Sequence, residues 1–410
     1  MMHSLLLVLL AASPCFAEKR YDGYQVLRMD LKPNDIEVMK KIENSPDTDF
    51  LDFLRDVMVA PSQLDKIKGM LDSNGIQYSV LIDDVQGSIE TQFSSRRSRD
   101  VDRFDYSVYH NYDEIHQWVL NTARQFPHLA SSIVLTESYQ GRPLDTLLVG
   151  KPSKTPKEAI WIQGGANPAE WMSPSVVMWM ANQLLEDYST DSVVKAMLDR
   201  FDIYVLPLLN ADGYVYTWTN TRFWMKTRSL NKGSRCVGTD VTRNWDIRWA
   251  DATQAEKHPC SNFYHGSSPN SEPEVKGIVN FIEETSITKT FRMFLDVRHY
   301  YRYWLFPYGY DADTYSADYT EQYIMARSAI EGILSVHGNR YLTAPYRNFN
   351  PTCGLSQDWA YDVANITYSY TVYLGNRYGD YLIPEDKIIP TSEDTYGGLK
   401  GALRYLMSIS

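Results

Sequence analysis

The sequence lacks several features that would point to special classes of protein. Only four of its 410 residues are cysteines and none form a Cys-x-x-Cys pattern, which argues against a cysteine-held zinc site. No stretch after the N-terminus approaches about 20 uninterrupted apolar residues, so we expect no membrane insertion. The 40 Lys and Arg residues are outnumbered by 51 Asp and Glu residues, and the net charge of -11 argues against nucleic acid as a partner.

The chain does have the length and apolar content for two domains. Hydrophobic residues make up 44% of the chain and charged residues 22%, as in ordinary globular proteins. A chain of 410 residues exceeds the size at which a single hydrophobic core stops growing. We see no internal repeat and no low-complexity segment.

The first 17 residues have the pattern of a secretory signal peptide. The apolar run Leu5 to Ala12 is followed by the letters SPCFA, with small residues at the two positions that signal peptidase recognises. We therefore expect a secreted, extracellular protein. Cys15 would leave with the signal, and Cys236, Cys260 and Cys353 then allow one disulfide with one thiol left over.

Residues 18–93 are predicted to form a small α+β unit. Tyr24–Met29 and Tyr78–Ile82 have the composition of strands. A helix between them is predicted to be capped by Ser62 and to end at Gly75. Strand–helix–strand units of this length predict an open sandwich.

A polar, basic segment at 94–105 separates this unit from the rest of the chain. It contains Arg96, Arg97 and Arg99 and shows no hydrophobic period, so it is predicted to be a linker and a target for basic-specific proteases. A solvated loop that is never cut is the alternative.

Residues 106–410 alternate between helical and strand patterns. This alternation predicts an α/β fold with a mixed, mostly parallel sheet flanked by helices. Ser173 and Pro174 are predicted to cap and start one of the helices. The predicted strands are Ile133–Leu135, Leu147–Gly150, Ala159–Gly164, Phe201–Leu206, Met293–Val297 and Tyr368–Leu374, and the predicted helices are Asp113–Arg124, Ser173–Leu185 and Gly397–Met407.

Ordered motifs along the chain resemble those of one enzyme family. They are Gln163–Trp171 followed by Ser173-Pro174, Asn210–Tyr214, Phe223–Ser229, Thr242–Asp246, Phe306–Tyr310 and Arg377–Gly379. Over residues 18–410 the chain resembles the secreted zinc metallocarboxypeptidases of the carboxypeptidase A/B type. The resemblance implies a carboxypeptidase-like domain at 106–410, preceded by a prodomain like the family's activation peptide at 18–93.

The resemblance also implies where a zinc site would lie. The family binds zinc through a His-x-x-Glu pair and a distant His, and a late carboxylate acts as general base. In this chain Asn167 stands at the first His and Arg298 at the distant His, whereas Glu170 is kept. Tyr373 falls at the general-base position and Met225 at the arginine that stabilises the oxyanion. An amide is a poor zinc ligand and a guanidinium cannot bind a cation, so we expect the zinc to be lost.

We also expect Arg298 to compensate the charge of Glu170 at the vacated position, because a buried carboxylate alone is costly. His299 offers an alternative ligand if the alignment shifts by one residue. Such a shift would exchange the two faces of the strand.

Some residues of the family's substrate cleft have counterparts here. Arg243 matches the arginine that holds the substrate's C-terminal carboxylate. Gln357 stands at the base of the pocket for the substrate's C-terminal side chain. An acidic residue there would favour basic side chains, and this chain has none at that position. Arg222 matches another arginine of the cleft, and structural ion pairing is the alternative role for both Arg243 and Arg222. Asn350 falls at the position of the family's mobile tyrosine, and Ala169 replaces a further substrate-binding arginine. The candidate substrate-binding residues are Arg222, Thr242, Arg243, Tyr300, Asn350 and Gln357.

Four other features complete the set of candidates. The resemblance implies a Cys236–Cys260 disulfide, which leaves Cys353 as a buried, inert thiol. Asn365, in the letters NIT, matches a glycosylation acceptor pattern. His265, near the disulfide loop, is expected at the surface.

Three functions compete on these grounds. The first is a secreted, catalytically inactive carboxypeptidase homologue that binds a peptide, a C-terminal carboxylate or a protein partner. The second is an active zinc metallocarboxypeptidase that releases C-terminal residues. The third is a structural extracellular protein with an unused cleft. An empty cleft with an exposed Arg243 would favour the first function over the third.

The linker prediction can be checked by limited proteolysis. Trypsin is expected to cut the full chain first after Arg96, Arg97 or Arg99, because a polar segment without periodic structure is the most accessible. N-terminal sequencing of the large fragment identifies the cut. A variant with all three arginines changed to Gln is the control, and a first cut elsewhere in both proteins would contradict the prediction.

Overall fold

A computed structural model describes residues 19–409, apart from 33–34, 52–54, 93–103, 254–255, 300, 312, 350 and 376–380. Two β-sheets with their helices account for this part of the chain. None of its helices has the length and apolar character needed to cross a membrane.

The N-terminal unit is a four-stranded antiparallel sheet with helices, as predicted. The strand order is β2-β3-β1-β4, and β1 and β4 lie where the sequence predicts strands. Its elements are β1 (Gln25–Met29), α1 (Ile36–Glu43), β2 (Thr48–Phe50), β3 (Asp56–Val59), α2 (Leu64–Ser73), β4 (Tyr78–Ile82) and α3 (Val85–Gln92).

Each face of this small sheet packs against a different partner. On one face Leu27 and Val57 contact Ile67 and Leu71 of α2. On the other face side chains of the N-terminal unit share an apolar cluster with side chains of the larger unit. We call it the interdomain cluster: Tyr21, Val26, Leu51, Met58, Val85 and Ile89 from the N-terminal side, and Phe223, Tyr381 and Leu382 from the other. Burial on both faces explains why β3 has no exposed residue.

The larger unit is built on an eight-stranded mixed sheet, which confirms the predicted fold class. The strand order is β11-β10-β12-β9-β7-β8-β6-β5. Its strands are β5 (Ala130–Glu137), β6 (Pro143–Val149), β7 (Glu158–Gln163), β8 (Phe201–Leu206), β9 (Phe291–His299), β10 (Tyr303–Phe306), β11 (Leu342–Pro345) and β12 (Tyr368–Leu374). The central strands β12, β9, β7 and β8 run parallel, as do β10 and β11, and the other neighbours are antiparallel.

Helices cover this sheet. They are α4 (Tyr112–Gln125), α5 (Met172–Asp187), α6 (Ser192–Arg200), α7 (Ala211–Thr219), α8 (Pro273–Ser286), α9 (Tyr319–His337), α10 (Ser356–Asp362) and α11 (Ile388–Ser408). The central strands are almost continuously apolar, and Ile160, Phe294 and Val372 are fully buried in one large core. Parallel strands covered on both faces have this composition.

Two predicted helix caps are wrong. Ser62 lies in a 3-10 turn, and α2 begins at Leu64 without a side-chain cap, because backbone carbonyls of the turn already accept its first N–H groups. Ser173 lies inside α5, which begins at Met172. Its hydroxyl donates to the Val297 carbonyl at 2.5 Å and accepts from the Gly165 N–H at 3.0 Å, and so ties β9 to the loop after β7.

The carboxyl ends of β7, β9 and β12 meet at one edge of the sheet. Ligand sites of open α/β sheets lie at such edges. The register pairs Arg298 of β9 with Tyr373 of β12, and the loop that follows β7 carries Asn167 and Glu170 to the same edge. Gly165 permits this loop: its φ is +65°, and a Cβ there would lie 2.5 Å from a side-chain carbon of Leu208.

The start of α4 offers a stability test of the fold. The Asn111 side chain accepts from the Glu114 N–H and the Glu114 side chain accepts from the Asn111 N–H, which forms a capping box. Asn111→Ala should lower the free energy of unfolding by about 1 kcal/mol in urea denaturation. The control, Asn121→Ala at an exposed position of α4, should change it by less than about 0.5 kcal/mol. Equal effects of the two changes would contradict the cap.

Candidate functional site

The loop after β7 is closed by its own polar groups. The Asn167 side-chain oxygen accepts from the Ala169 N–H at 3.1 Å, and its backbone carbonyl accepts from the Glu170 N–H at 3.1 Å. Both Asn167 and Glu170 are buried. The Asn167 amide oxygen therefore stabilises the turn that aims Glu170 towards β9.

Glu170 receives two donors from the end of β9. Its Oε2 accepts from the His299 backbone N–H at 2.8 Å and from Arg298 Nε at 3.4 Å. Burial raises the pKa of Glu170 to about 7, while the Arg298 charge and the His299 N–H act in the opposite direction. The expected Glu170–Arg298 pair is therefore present, with both side chains buried.

Tyr373, at the predicted general-base position, is a buried phenol. Its hydroxyl lies 2.8 Å from the hydroxyl of Tyr346, and the Arg298 guanidinium lies 5.7 Å from the centre of its ring. Burial raises the pKa of Tyr373 well above that of an exposed tyrosine. The group is therefore neutral at pH 7 and offers no negative charge for proton abstraction.

The ring of His299 does not take the place of Arg298. Successive side chains of a strand point to opposite faces, and in the β9–β12 register Arg298 pairs with Tyr373 whereas His299 pairs with Leu374. Burial and then the charge of Arg222 lower the pKa of His299 to about 3. The structure thus brings the backbone N–H of His299 to Glu170 and leaves its imidazole neutral.

These side chains do not fit a zinc ion. Three groups lie at the predicted zinc position. The Asn167 amide oxygen already accepts a hydrogen bond, the Glu170 carboxylate accepts hydrogen bonds from two groups, and the Arg298 guanidinium has no lone pair for a metal. Zinc in proteins takes three or four imidazole, thiolate or carboxylate ligands. Across the part of the chain that the structure describes, no three His, Cys, Asp or Glu side chains come together as a metal site would require.

Arg243, the predicted carboxylate anchor, is buried between two carboxylates of the chain itself. Its Nε donates to Asp240 Oδ2 at 3.0 Å and its Nη1 donates to Glu256 Oε1 at 2.6 Å. The backbone N–H and the hydroxyl of Thr242 donate to Asp240 Oδ1 at 3.0 and 2.7 Å. Sequence reasoning missed Glu256, which lies 13 residues beyond Arg243 and outside the motif.

Arg222 is also satisfied internally. Its Nη1 donates to the Ala169 carbonyl at 2.8 Å, and its Nε and Nη2 donate to Gln92 Oε1 at 3.3 and 3.2 Å. The guanidinium carbon lies 3.7 Å from the centre of the Trp171 ring. Gln92 is the last residue of α3, so the N-terminal unit reaches the cleft, a contact that no sequence pattern indicated.

Of the four remaining cleft candidates, two lie among the described residues and two do not. Gln357 is fully buried and accepts from the Thr371 hydroxyl at 2.8 Å, and Met225 is half-buried. Tyr300 and Asn350 lie outside the described residues.

Four predictions concern residues outside the cleft. The Cys236–Cys260 disulfide is present. The Cys353 thiol is half-buried, and its pKa is raised to about 11, mainly by burial and to a smaller extent by the charge of Glu256. Asn365 is exposed before β12. The surface position expected for His265 is wrong: the residue is buried because its ring stacks on Trp249 with the centres 4.0 Å apart.

Comparisons with known proteins agree with this architecture. The zinc carboxypeptidase family matches residues 115–398, and the carboxypeptidase activation peptide family matches residues 32–92. Carboxypeptidase A4 of Mus musculus is 35% identical over 97% of this chain and 97% of its own length. The crystal structure of thrombin activatable fibrinolysis inhibitor is 27% identical, covers 95% of this chain and all of its own, and superposes with a TM-score of 0.87.

One further structure is relevant to partners. Bovine thrombin-activatable fibrinolysis inhibitor in complex with tick carboxypeptidase inhibitor is 31% identical, covers 74% of this chain and 99% of its own, and has a TM-score of 0.68. From the two family matches, the full-length similarity and the shared architecture, we conclude that this chain belongs to the zinc carboxypeptidase family and carries that family's activation peptide.

Proposed function

We propose that this chain is a noncatalytic member of the zinc carboxypeptidase family that acts by binding. The observation that carries the proposal is the position of Arg298. Its guanidinium contacts the carboxylate of Glu170 where the resemblance predicts a zinc ligand. A permanent cation in that place repels a metal dication, and its partner is the one ligand that the chain has kept.

The free energies that zinc and an oxyanion donor contribute to catalysis in such enzymes are large, and their loss supports the proposal. Zinc lowers the pKa of bound water from about 15.7 to about 7, which corresponds to about 12 kcal/mol towards hydroxide. The neutral phenol of Tyr373 cannot replace that contribution. The thioether at Met225 cannot donate to an oxyanion, and one such donor is typically worth about 3 to 4 kcal/mol.

The ion pair also explains why Glu170 can be retained without a metal. Breaking a buried ion pair by removing one partner costs about 3 to 5 kcal/mol. The Arg298 side chain supplies part of the compensating charge for Glu170, although burial remains the larger effect and keeps the pKa raised. Its guanidinium thus replaces the cation electrostatically while it excludes the chemistry of a metal.

A peptide or a protein is the ligand class that the family resemblance favours. A relative is in complex with a protein inhibitor, and the uncharged amide of Gln357 gives no basis for selecting basic side chains. The signal-like N-terminus and the Cys236–Cys260 disulfide support a secreted, extracellular location.

A structural role with an unused cleft is the second candidate. It is favoured by the observation that Arg222, Arg243 and Arg298 all donate to atoms of the chain itself. Saturable binding of a peptide at the cleft would separate the first function from this one.

The first test combines metal analysis with an assay. The purified chain, before and after trypsin, should contain far less than one zinc per molecule and should not hydrolyse C-terminal peptide substrates. The matched control is Asn167→His with Arg298→His, which gives Glu170 two imidazole neighbours and should gain zinc. Stoichiometric zinc in the natural chain, with turnover that a chelator abolishes, would overturn the proposal.

The second test uses the pH dependence of stability. Because folding raises the pKa of Glu170 from 4.5 to about 7, its contribution to stability is full below about pH 4.5 and is lost as the pH rises through about 7. The free energy of unfolding should therefore fall more steeply over this range in the natural chain than in Glu170→Gln. Urea denaturation at several pH values measures both slopes.

An exposed control supports this comparison. Glu331, whose side chain is 68% exposed, changed to Gln should leave the slope unaltered. Parallel curves for the natural chain and Glu170→Gln would show that Glu170 is not the buried, proton-linked carboxyl described above.

A further inference from the structure

Glu256 is held firmly against Arg243. Its Oε1 accepts from Arg243 Nη1 at 2.6 Å, and its Oε2 accepts from the Thr253 N–H at 2.6 Å. Its backbone carbonyl accepts from the His265 N–H at 2.9 Å. The Glu256 side chain is 4% exposed. Glu256 is therefore a positioned group rather than a surface acid that happens to lie near an arginine.

The Arg243 guanidinium belongs to the same cleft as the Glu170–Arg298 pair. The hydroxyls of Tyr346 and Tyr373 lie 2.8 Å apart, and burial raises the pKa of Tyr346 while the charges of Arg298 and Arg243 oppose that rise. The charges of Arg243 and Arg298 therefore both act on the Tyr346 hydroxyl, which places the two arginines near the same tyrosine pair.

The charges at Arg243 oppose a third carboxylate. One guanidinium faces two ionisable carboxyls, Asp240 and Glu256, and the three groups together carry a net negative charge when both acids are ionised. A guanidinium is a good carboxylate receptor when its donors and its charge are available to the ligand. Here two carboxylates already neutralise it, and a like charge brought beside them is repelled.

The two acids differ in what else they do. Asp240 also accepts from the N–H and hydroxyl of Thr242 and thus organises the turn that carries Arg243. Glu256 comes from a separate loop and contacts the far nitrogen of the guanidinium. Glu256 is therefore the group whose removal would leave the turn in place and leave the Arg243 guanidinium facing one carboxylate, Asp240, instead of two.

We propose that Glu256 is a built-in carboxylate that fills the Arg243 subsite, so that this cleft rejects peptides with a free C-terminal carboxylate and selects amidated or internal peptide segments. The inference rests on the proposed noncatalytic, peptide-binding function and narrows its ligand class. It makes Glu256 a specificity-determining residue of the cleft.

The test compares two small probes, acetyl-Gly-Phe with a free carboxylate and the same dipeptide as its C-terminal amide, titrated into the full chain by NMR. In the natural chain the acid should bind no better than the amide. In Glu256→Gln, which keeps the shape of the side chain and removes its charge, the acid should bind at least about tenfold tighter than to the natural chain. The added variant Glu256→Gln with Arg243→Gln should lose that gain.

Controls keep the outcome interpretable. Glu331→Gln removes one exposed negative charge and should bind the acid as the natural chain does. If a thermal melt shows that Glu256→Gln does not fold, Glu256→Ala takes its place. A natural chain that prefers the acid through Arg243, or a folded Glu256 variant without any gain for the acid, would overturn the inference. Either result leaves the noncatalytic proposal standing, because zinc content and turnover test that proposal separately.

Discussion

The buried carboxylate of Glu170 and its two donors are the constraint on which the cleft depends. One oxygen joins the loop after β7 to the end of β9 through the His299 N–H and the Arg298 guanidinium. A buried acid needs hydrogen bonds and an opposite charge, and a structure that keeps the acid must provide both. The cleft geometry of this chain follows from meeting that need with protein atoms.

The same principle extends across the cleft. Arg243 is neutralised by Asp240 and Glu256, and Arg222 is bonded to the Ala169 carbonyl and to Gln92. The described cations of the cleft therefore have partners in their own chain. The charged groups of such a site stabilise the conformation of the site itself, whereas those of an active site interact with the substrate.

Much of the fold could be predicted because long apolar runs and turn residues mark the central strands. Phe201–Leu206 and Tyr368–Leu374 are strands with the predicted bounds, since both are short segments rich in β-branched and aromatic residues within a covered sheet. The short strand Thr48–Phe50 carries a polar sequence and was not predicted, because its pairing with β3 is a tertiary contact. Local sequence also misplaced the caps at Ser62 and Ser173, whose roles depend on neighbouring backbone.

Predictability of the site follows the same division. The positions of Asn167, Glu170, Arg298 and Tyr373 could be inferred from ordered motifs, and the structure brings the last three together at adjoining strand ends. Glu256 could not be inferred, because a loop acid acquires its role only through the path of the chain in space. Which partner an arginine chooses is decided by distance and burial, and a one-dimensional pattern contains neither.

The interdomain cluster has a mechanical consequence. Tyr21, Met58 and Ile89 pack against Phe223 and Tyr381, so that this face of the small sheet is buried only by the larger unit. Cleavage of a peptide bond between the units would remove the covalent connection but no buried surface. The two pieces would still associate through the apolar surface that the interdomain cluster buries. After such a cut the N-terminal unit would be a noncovalent subunit of the larger one, and its dissociation would depend on concentration and affinity.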